Sequence, residues 1–232
     1  MAIFSRPVRW REIAATAAER LLDLLFPRVS CPLCGGPAGE GRDAGICATC
    51  LAALLLHPAA RVAGRVPASG GGLACGMHED ILASAIRRFK YGPDETLGEP
   101  LGRLLAARVA MAAAAGLVVE AVVPVPLHRA RLLQRGFNQA EVLATYVGRR
   151  LGVPVRARWL RRVRRTETQA GLGRGGRLRN MQGAFRADCR VAGARVLLID
   201  DVITTGATLQ ACSEALSEAA WVGFAAVASA PD

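Results

Sequence analysis

Residues 195–212 read RVLLIDDVITTGATLQAC: four apolar residues closed by two adjacent aspartates, then three threonines around a glycine, then a segment of helical pattern. A short apolar run bounded by polar residues has the length of a buried strand. The hydroxyl-rich loop after it then lies at the N-terminus of a helix, where backbone N–H groups and the positive end of the helix dipole favour a phosphate. Gly206 lets the backbone approach such a group closely, and Thr204, Thr205, Ala207 and Thr208 complete the cradle. The lysine of a Walker loop is missing, which excludes that class of nucleotide site. Asp200 and Asp201 accept hydrogen bonds only, when ionised. They suit the hydroxyls of a sugar carrying that phosphate, or a magnesium ion. The stretch therefore describes a sugar phosphate site.

The remaining chain sets the fold class. Helical patterns run through EDILASAIRRFKYG, from about residue 95 to 115, over NQAEVLATYVGRRLG and over 207–219. Strand patterns occupy 121–126, about 153–160, 195–200 and the final WVGFAAVASA. Strands separated by helices predict an α/β fold, a mostly parallel sheet flanked by helices, with ligands bound beyond the carboxyl ends of the strands. The Gly- and Pro-rich stretch 57–72 reads as a linker. It divides an N-terminal part, 1–56, containing a helix at about 8–26, from a second domain, 73–232.

Four of the seven cysteines stand in CPLCGGPAGEGRDAGICATC, as Cys31 and Cys34, then Cys47 and Cys50, with 12 residues between the pairs. Each CxxC turn brings two thiolates to one side, so two turns supply the closed tetrahedral set of a structural zinc ribbon, leaving no open catalytic position. The alternative for such pairs is a disulfide framework, which a cytoplasmic chain disfavours. Cys75, Cys189 and Cys212 are scattered and read as small core hydrophobes. His57, His78 and His128 have no ligand-like spacing and are assigned to no metal.

The formal net charge is +11, from 30 Lys plus Arg against 19 Asp plus Glu. Between Arg149 and Arg179 there are 11 arginines and a single acid, Glu167. This points to a phosphate-facing or nucleic-acid-facing surface, or to plain solvated charge. Arginine accounts for 29 of the 30 basic residues. Lys90 is the exception, which suggests a site that needs a compact ammonium rather than a planar fork. No window approaches the roughly 18 apolar residues of a membrane span, and the N-terminus lacks the apolar block of a secretory signal. The expectation is a cytoplasmic protein with no membrane insertion.

VLLIDDVITTGAT resembles the signature of type I phosphoribosyltransferases, which bind 5-phosphoribosyl 1-pyrophosphate (PRPP). The cysteine ribbon, FKYG, VPVPLHRARLLQRGFNQAE and RTETQAGLGRGGRLRNMQGAF resemble, in that order, the ComF family of amidophosphoribosyltransferase-like and competence-related proteins, over nearly the whole chain. The resemblance implies that Asp200 and Asp201 contact the ribose hydroxyls and that residues 204–208 hold the 5-phosphate. The segment after Pro126 corresponds to the pyrophosphate loop, with Arg129 and Arg135 as anion contacts and magnesium entering with PRPP. For RGFNQAE a helix entry, capped by Asn138 and packed through Phe137, is compatible with that role. Residues 161–185 are long, polar and glycine-rich, and are read as a lid. Little chain follows the last strand to build the hood that selects an acceptor, and no glutamine amidotransferase domain precedes it, so the acceptor stays open. Two function classes follow: a phosphoribosyltransferase with an unidentified acceptor, and a non-catalytic PRPP or nucleotide binder associated with single-stranded DNA and the DNA uptake machinery.

Overall fold

A computed structural model describes residues 30–37, 46–50, 52, 60–61, 71–91, 95–164 and 180–230. The helix expected at 8–26 lies outside the described residues, as do 165–179 of the expected lid.

A five-stranded sheet organises the chain, in the order β1 (Ala60–Arg61), β2 (Gly72–Met77), β7 (Trp221–Ser229), β6 (Arg195–Ile203), β3 (Ala121–Pro124). β2, β7, β6 and β3 are mutually parallel, and β1 is an antiparallel edge on β2. The central register sets Leu198 against Phe224 and Val123. Strands with both faces covered carry continuous rather than alternating apolar residues. β6 and β7 do so, being buried almost throughout. Four parallel strands bring their carboxyl ends, at Met77, Pro124, Ile203 and Ser229, to one edge.

On one face lie α1 (Asp80–Tyr91), α2 (Gly98–Ala114) and α4 (Gln139–Leu151), sharing a core with Val122, Leu197, Ile199 and Val227. α2 and α4 approach closely because Gly102 has no side chain: a Cβ there would collide with the Tyr146 ring. The short α3 (Arg129–Arg135) buries none of its residues. The other face packs α5 (Ala207–Ala215) and a separate antiparallel hairpin, β4 (Leu160–Arg162) with β5 (Phe185–Ala187), against Val123, Leu198 and Phe224.

The α/β class and parallel sheet agree with the expectation, but several elements differ. β2 and β1 occupy sequence read as linker and domain start. The strand expected at 153–160 is instead one bridge, Val155 to Val122, and a 3-10 turn at Ala157–Trp159 leading into β4. β6 extends three residues further than expected, so both aspartates lie inside the strand. Cys75 and Cys212 are fully buried as expected, whereas Cys189 is exposed, because it opens a 3-10 turn at Cys189–Val191.

Candidate functional site at the carboxyl edge of the sheet

Three separated sequence motifs meet at this edge. The first is the end of α1. Its apolar face buries Leu82, Ala85, Ile86 and Phe89, which leaves Lys90 one position on to leave the helix toward β6. The Lys90 ammonium lies 2.8 Å from a carboxylate oxygen of Asp201, with both side chains largely shielded, at 21% and 10% exposure. An ion pair withdrawn from water to this degree is only weakly screened by salt.

The second motif, RGFNQ, links α3 to α4. Gly136 takes φ 80° and ends α3, and Asn138 caps α4 by accepting from the Ala140 N–H at 3.1 Å. Its amide also donates to the Val125 carbonyl at 3.2 Å, tying the helix start to the end of β3. Phe137 packs on Phe89 with ring centroids 5.5 Å apart. Buried Gln139 donates to the Phe89 carbonyl at 3.2 Å and accepts from the Arg135 guanidinium at 3.1 Å. Arg135 also lies over the Tyr91 ring, 5.0 Å from its centroid. Both expected roles of Asn138 and Phe137 hold. Arg135 is anchored to the end of α1, while Arg129 is exposed at the start of α3.

The third motif is DDVITTGAT. Asp201 is buried and Asp200 half-buried, and the Asp201 N–H donates to the Asp200 carboxylate at 2.8 Å. Enclosure by protein and the neighbouring Asp201 charge push the Asp200 carboxyl up to about 7; Lys90, the Asp201 amide and Arg135 oppose the shift. Beyond β6, Thr204 is exposed and Thr205 and Thr208 half-buried. Gly206 adopts φ 77° as the N-cap of α5, and Ala207 opens the helix. The N-cap, being glycine, contributes no side-chain cap to that first turn. Backbone N–H groups at a helix start of this kind suit an acceptor such as a phosphate.

The structure also brings in residues that sequence reasoning passed over. His78 follows β2 at the same edge, and burial, then Lys90, lower its pKa while Asp201 opposes. Arg162, on β4, lies with its guanidinium 5.5 Å from the Phe185 ring centroid. Burial lowers its pKa first, and the charge of Arg131 lowers it further, against Asp200. The signal for His78 was its place after a strand, hidden because GLACGM lies at the boundary between the expected linker and the domain start. By contrast a groove of about 370 Å³, lined by Phe185, Asp188, Cys189, Val191 and Glu218 among others, lies near the amino ends of β6 and β7, away from the aspartates.

The four cysteines form a second centre. Their sulfur atoms lie within 4.8 Å of one another. The first turn is built by the Cys31 N–H to Gly36 carbonyl bond at 2.6 Å and by Gly35 at φ 75°. The Cys47 N–H points at the Cys31 sulfur and the Cys50 N–H at the Cys47 sulfur, each at 3.4 Å. Burial raises the Cys31 thiol, but backbone donors from Cys47, Cys34 and Leu33 outweigh it and bring it to about 6. Cys50 is pushed strongly up by burial and by the other thiols. Four converging sulfurs with amide donors aimed at them suit a soft, thiophilic divalent cation, and zinc fits.

Among curated proteins, competence protein F from Haemophilus influenzae is 37% identical over 146 residues, covering 61% of this chain and 64% of that protein. DNA utilization protein YhgH from Salmonella typhi is 31% identical over 192 residues, covering 82% of this chain and 78% of that protein. YhgH from Escherichia coli is 30% identical over 204 residues, covering 80% and 89%. The chain belongs to the competence protein F and DNA utilization protein family. This chain spans just under two thirds of the Haemophilus member of that family. No family model matches the chain. Among solved structures, a glutamine PRPP amidotransferase from B. subtilis, complexed with ADP and GMP, superposes with a TM-score of 0.39 at 20% identity, covering 59% of this chain and 29% of that one. Among the described residues no helix is long and apolar enough to cross a membrane.

Proposed function

We propose that the carboxyl edge binds PRPP and transfers its phosphoribosyl group to an acceptor, in the cytoplasm. The observation that carries this reading is the Lys90–Asp201 pair, which joins the end of α1 to an aspartate five residues before the glycine that opens a helix. In the proposed complex, residues 204–208 hold the 5-phosphate and Asp200 and Asp201 accept from the ribose hydroxyls. Arg129 and Arg135 face the pyrophosphate, and Lys90, paired with Asp201, adds a compact positive charge for the ligand's anionic groups. The C1–oxygen bond to pyrophosphate breaks, the electron pair leaves with the pyrophosphate, and the acceptor's lone pair forms the new bond at C1. The developing cation needs positioning and charge stabilisation more than a protein nucleophile. Magnesium, when bound with PRPP, supplies charge neutralisation of the pyrophosphate, and the two aspartates are hard oxygen donors of the kind it accepts.

The test measures PRPP with magnesium as a stabilising ligand, and pyrophosphate release across ammonia, amine and nucleobase acceptors. At a hundredfold excess over its dissociation constant the ligand should stabilise the chain by about 2.7 kcal/mol. Asp201→Asn should lose most of that gain, since the amide can no longer act as a purely accepting group and no longer holds Lys90 by charge. An equal gain in variant and parent removes Asp201 from the site.

A second reading has its own support. The unburied α3 presents Arg129 and Leu133 to solvent, and the relatives are named for competence and DNA utilization. In that reading the chain binds PRPP without turnover and works with single-stranded DNA in DNA uptake. PRPP-dependent stabilisation without pyrophosphate release to any acceptor favours it.

A further inference from the structure

Three consecutive residues of α1 point three ways. Arg88 donates through Nη1 to the Pro32 carbonyl, inside the first cysteine turn, at 2.9 Å. Phe89 is buried, packs on Phe137, and offers its carbonyl to Gln139. Lys90 holds Asp201 at 2.8 Å. The cysteine turns are also not a free-standing module: Cys31, Leu33, Ile46 and Cys50, all at most 7% exposed, belong to the same buried cluster as Ile86, Phe89, Leu101 and Leu105.

We infer that the cysteine centre is a positioning element for the sugar phosphate site, with Arg88 as the residue that ties metal occupancy to the placement of Lys90. The inference rests on the proposed PRPP reading and deepens it. A close-packed core transmits displacement rather than absorbing it. Pro32 lies between two of the sulfur ligands, so loss of the metal releases the carbonyl that Arg88 holds. It also loosens Leu33 against the cluster into which α1 is packed. A shift of about 1 Å at the end of α1 is enough to break a charge-assisted contact of the length seen between Lys90 and Asp201. Arg88 touches no ligand in this scheme; it acts through Lys90. Linkage makes the effect reciprocal: if metal strengthens PRPP binding, PRPP must retain the metal by the same factor.

The experiment follows zinc release from the full chain into a coloured zinc-selective chelator, with and without saturating PRPP and magnesium. It is paired with PRPP titrations of the parent, Arg88→Ala and Arg88→Lys. Two coupled sites typically differ by about 5- to 150-fold, so PRPP should retain zinc at least about fivefold against the chelator. Arg88→Ala should weaken PRPP binding by a similar factor and abolish the retention. Arg88→Lys, which still donates to Pro32, should recover both in part. A purely structural role for Arg88 predicts a lower melting temperature with PRPP still retaining zinc, and that result overturns the inference. So does equal zinc release with and without PRPP in a parent that binds PRPP. A parent that binds zinc but shows no PRPP stabilisation fails one stage earlier, and refutes the PRPP reading and this inference together.

Discussion

Asp200 and Asp201 are neighbours in one strand, yet their surroundings separate them. Asp201 faces Lys90 and keeps its charge compensated, whereas Asp200 has the weight of enclosure and of Asp201 itself against ionisation. Unfolded, the Asp200 carboxyl titrates near 4 like any aspartate; folded, it titrates at about 7. Between those values the folded state holds a proton that the unfolded state has lost, so stability falls as pH rises. Below about 4 the two states are protonated alike and there is no penalty; above about 7 the penalty is complete. Asp200→Asn, which never ionises, should flatten this slope, measured as urea midpoints at pH 5 and pH 8 with Lys90, Arg135, Arg162 and Asp201 intact. Superimposable pH profiles for variant and parent would show that Asp200 is not the titrating group. PRPP affinity should rise through the same interval in the parent, because only the ionised carboxylate accepts from both ribose hydroxyls.

The elements show which signals a sequence carries. β6 and β7 are legible because strands buried on both faces are near-continuous apolar runs, and α4 because Asn138 and Gly152 mark its ends. β1 and β2 are not, since GLACGM owes its strand state to pairing with β7, far along the chain, and the two-residue β1 owes its own to pairing with β2. The β4–β5 hairpin was hidden for a related reason: its strands of three residues each are separated by 22 residues in sequence. Lys90 was legible as a compositional exception, but its partner was not, because that contact spans 111 positions. The cysteine spacing predicted a converging set of four sulfurs, and they converge. It could not predict that Leu33 and Ile46 would enter the main core. At this element the expected outcome is one zinc per chain by metal analysis. Cys47→Ser should lose the zinc and lower the melting temperature of the whole chain, rather than of a detached module. Zinc-free protein, or two disulfides among the four cysteines, would refute the metal centre. Closed thiolate sites contribute roughly 10–16 kcal/mol of apparent binding free energy in small zinc modules, so metal loss is a large perturbation of what is packed against it.

Across the whole molecule, the net charge of +11 can serve two ends that salt separates. A PRPP site is a compact, partly shielded cluster in which Lys90 is already paired with Asp201, and its short-range contacts respond weakly to ionic strength. A nucleic-acid surface behaves differently. Each phosphate neutralised on a single strand releases counterions, and the logarithm of affinity falls by about 0.7 per log unit of salt for every contact. The described residues place arginines at both scales: Arg135 is held against Tyr91 and Gln139 beside the aspartates, while Arg129 stands exposed on α3 next to half-buried Arg131. Aromatic faces for base stacking are few, and Tyr91, at 70% exposure, is the large one at this edge. If α3 carries single-stranded DNA, oligothymidine binding followed from 50 to 300 mM salt should be steep. Replacing Arg129 and Arg131 together by alanine should then reduce the slope by about 1.4, two contacts' worth. PRPP stabilisation in that variant should fall as well, because Arg129 also faces the pyrophosphate in the proposed complex, but by less than in Asp201→Asn, since Arg135, Lys90 and Asp201 remain. A DNA slope unaltered by the double substitution would move any nucleic-acid contact away from α3. DNA binding lost together with PRPP stabilisation would instead merge the two surfaces into one site.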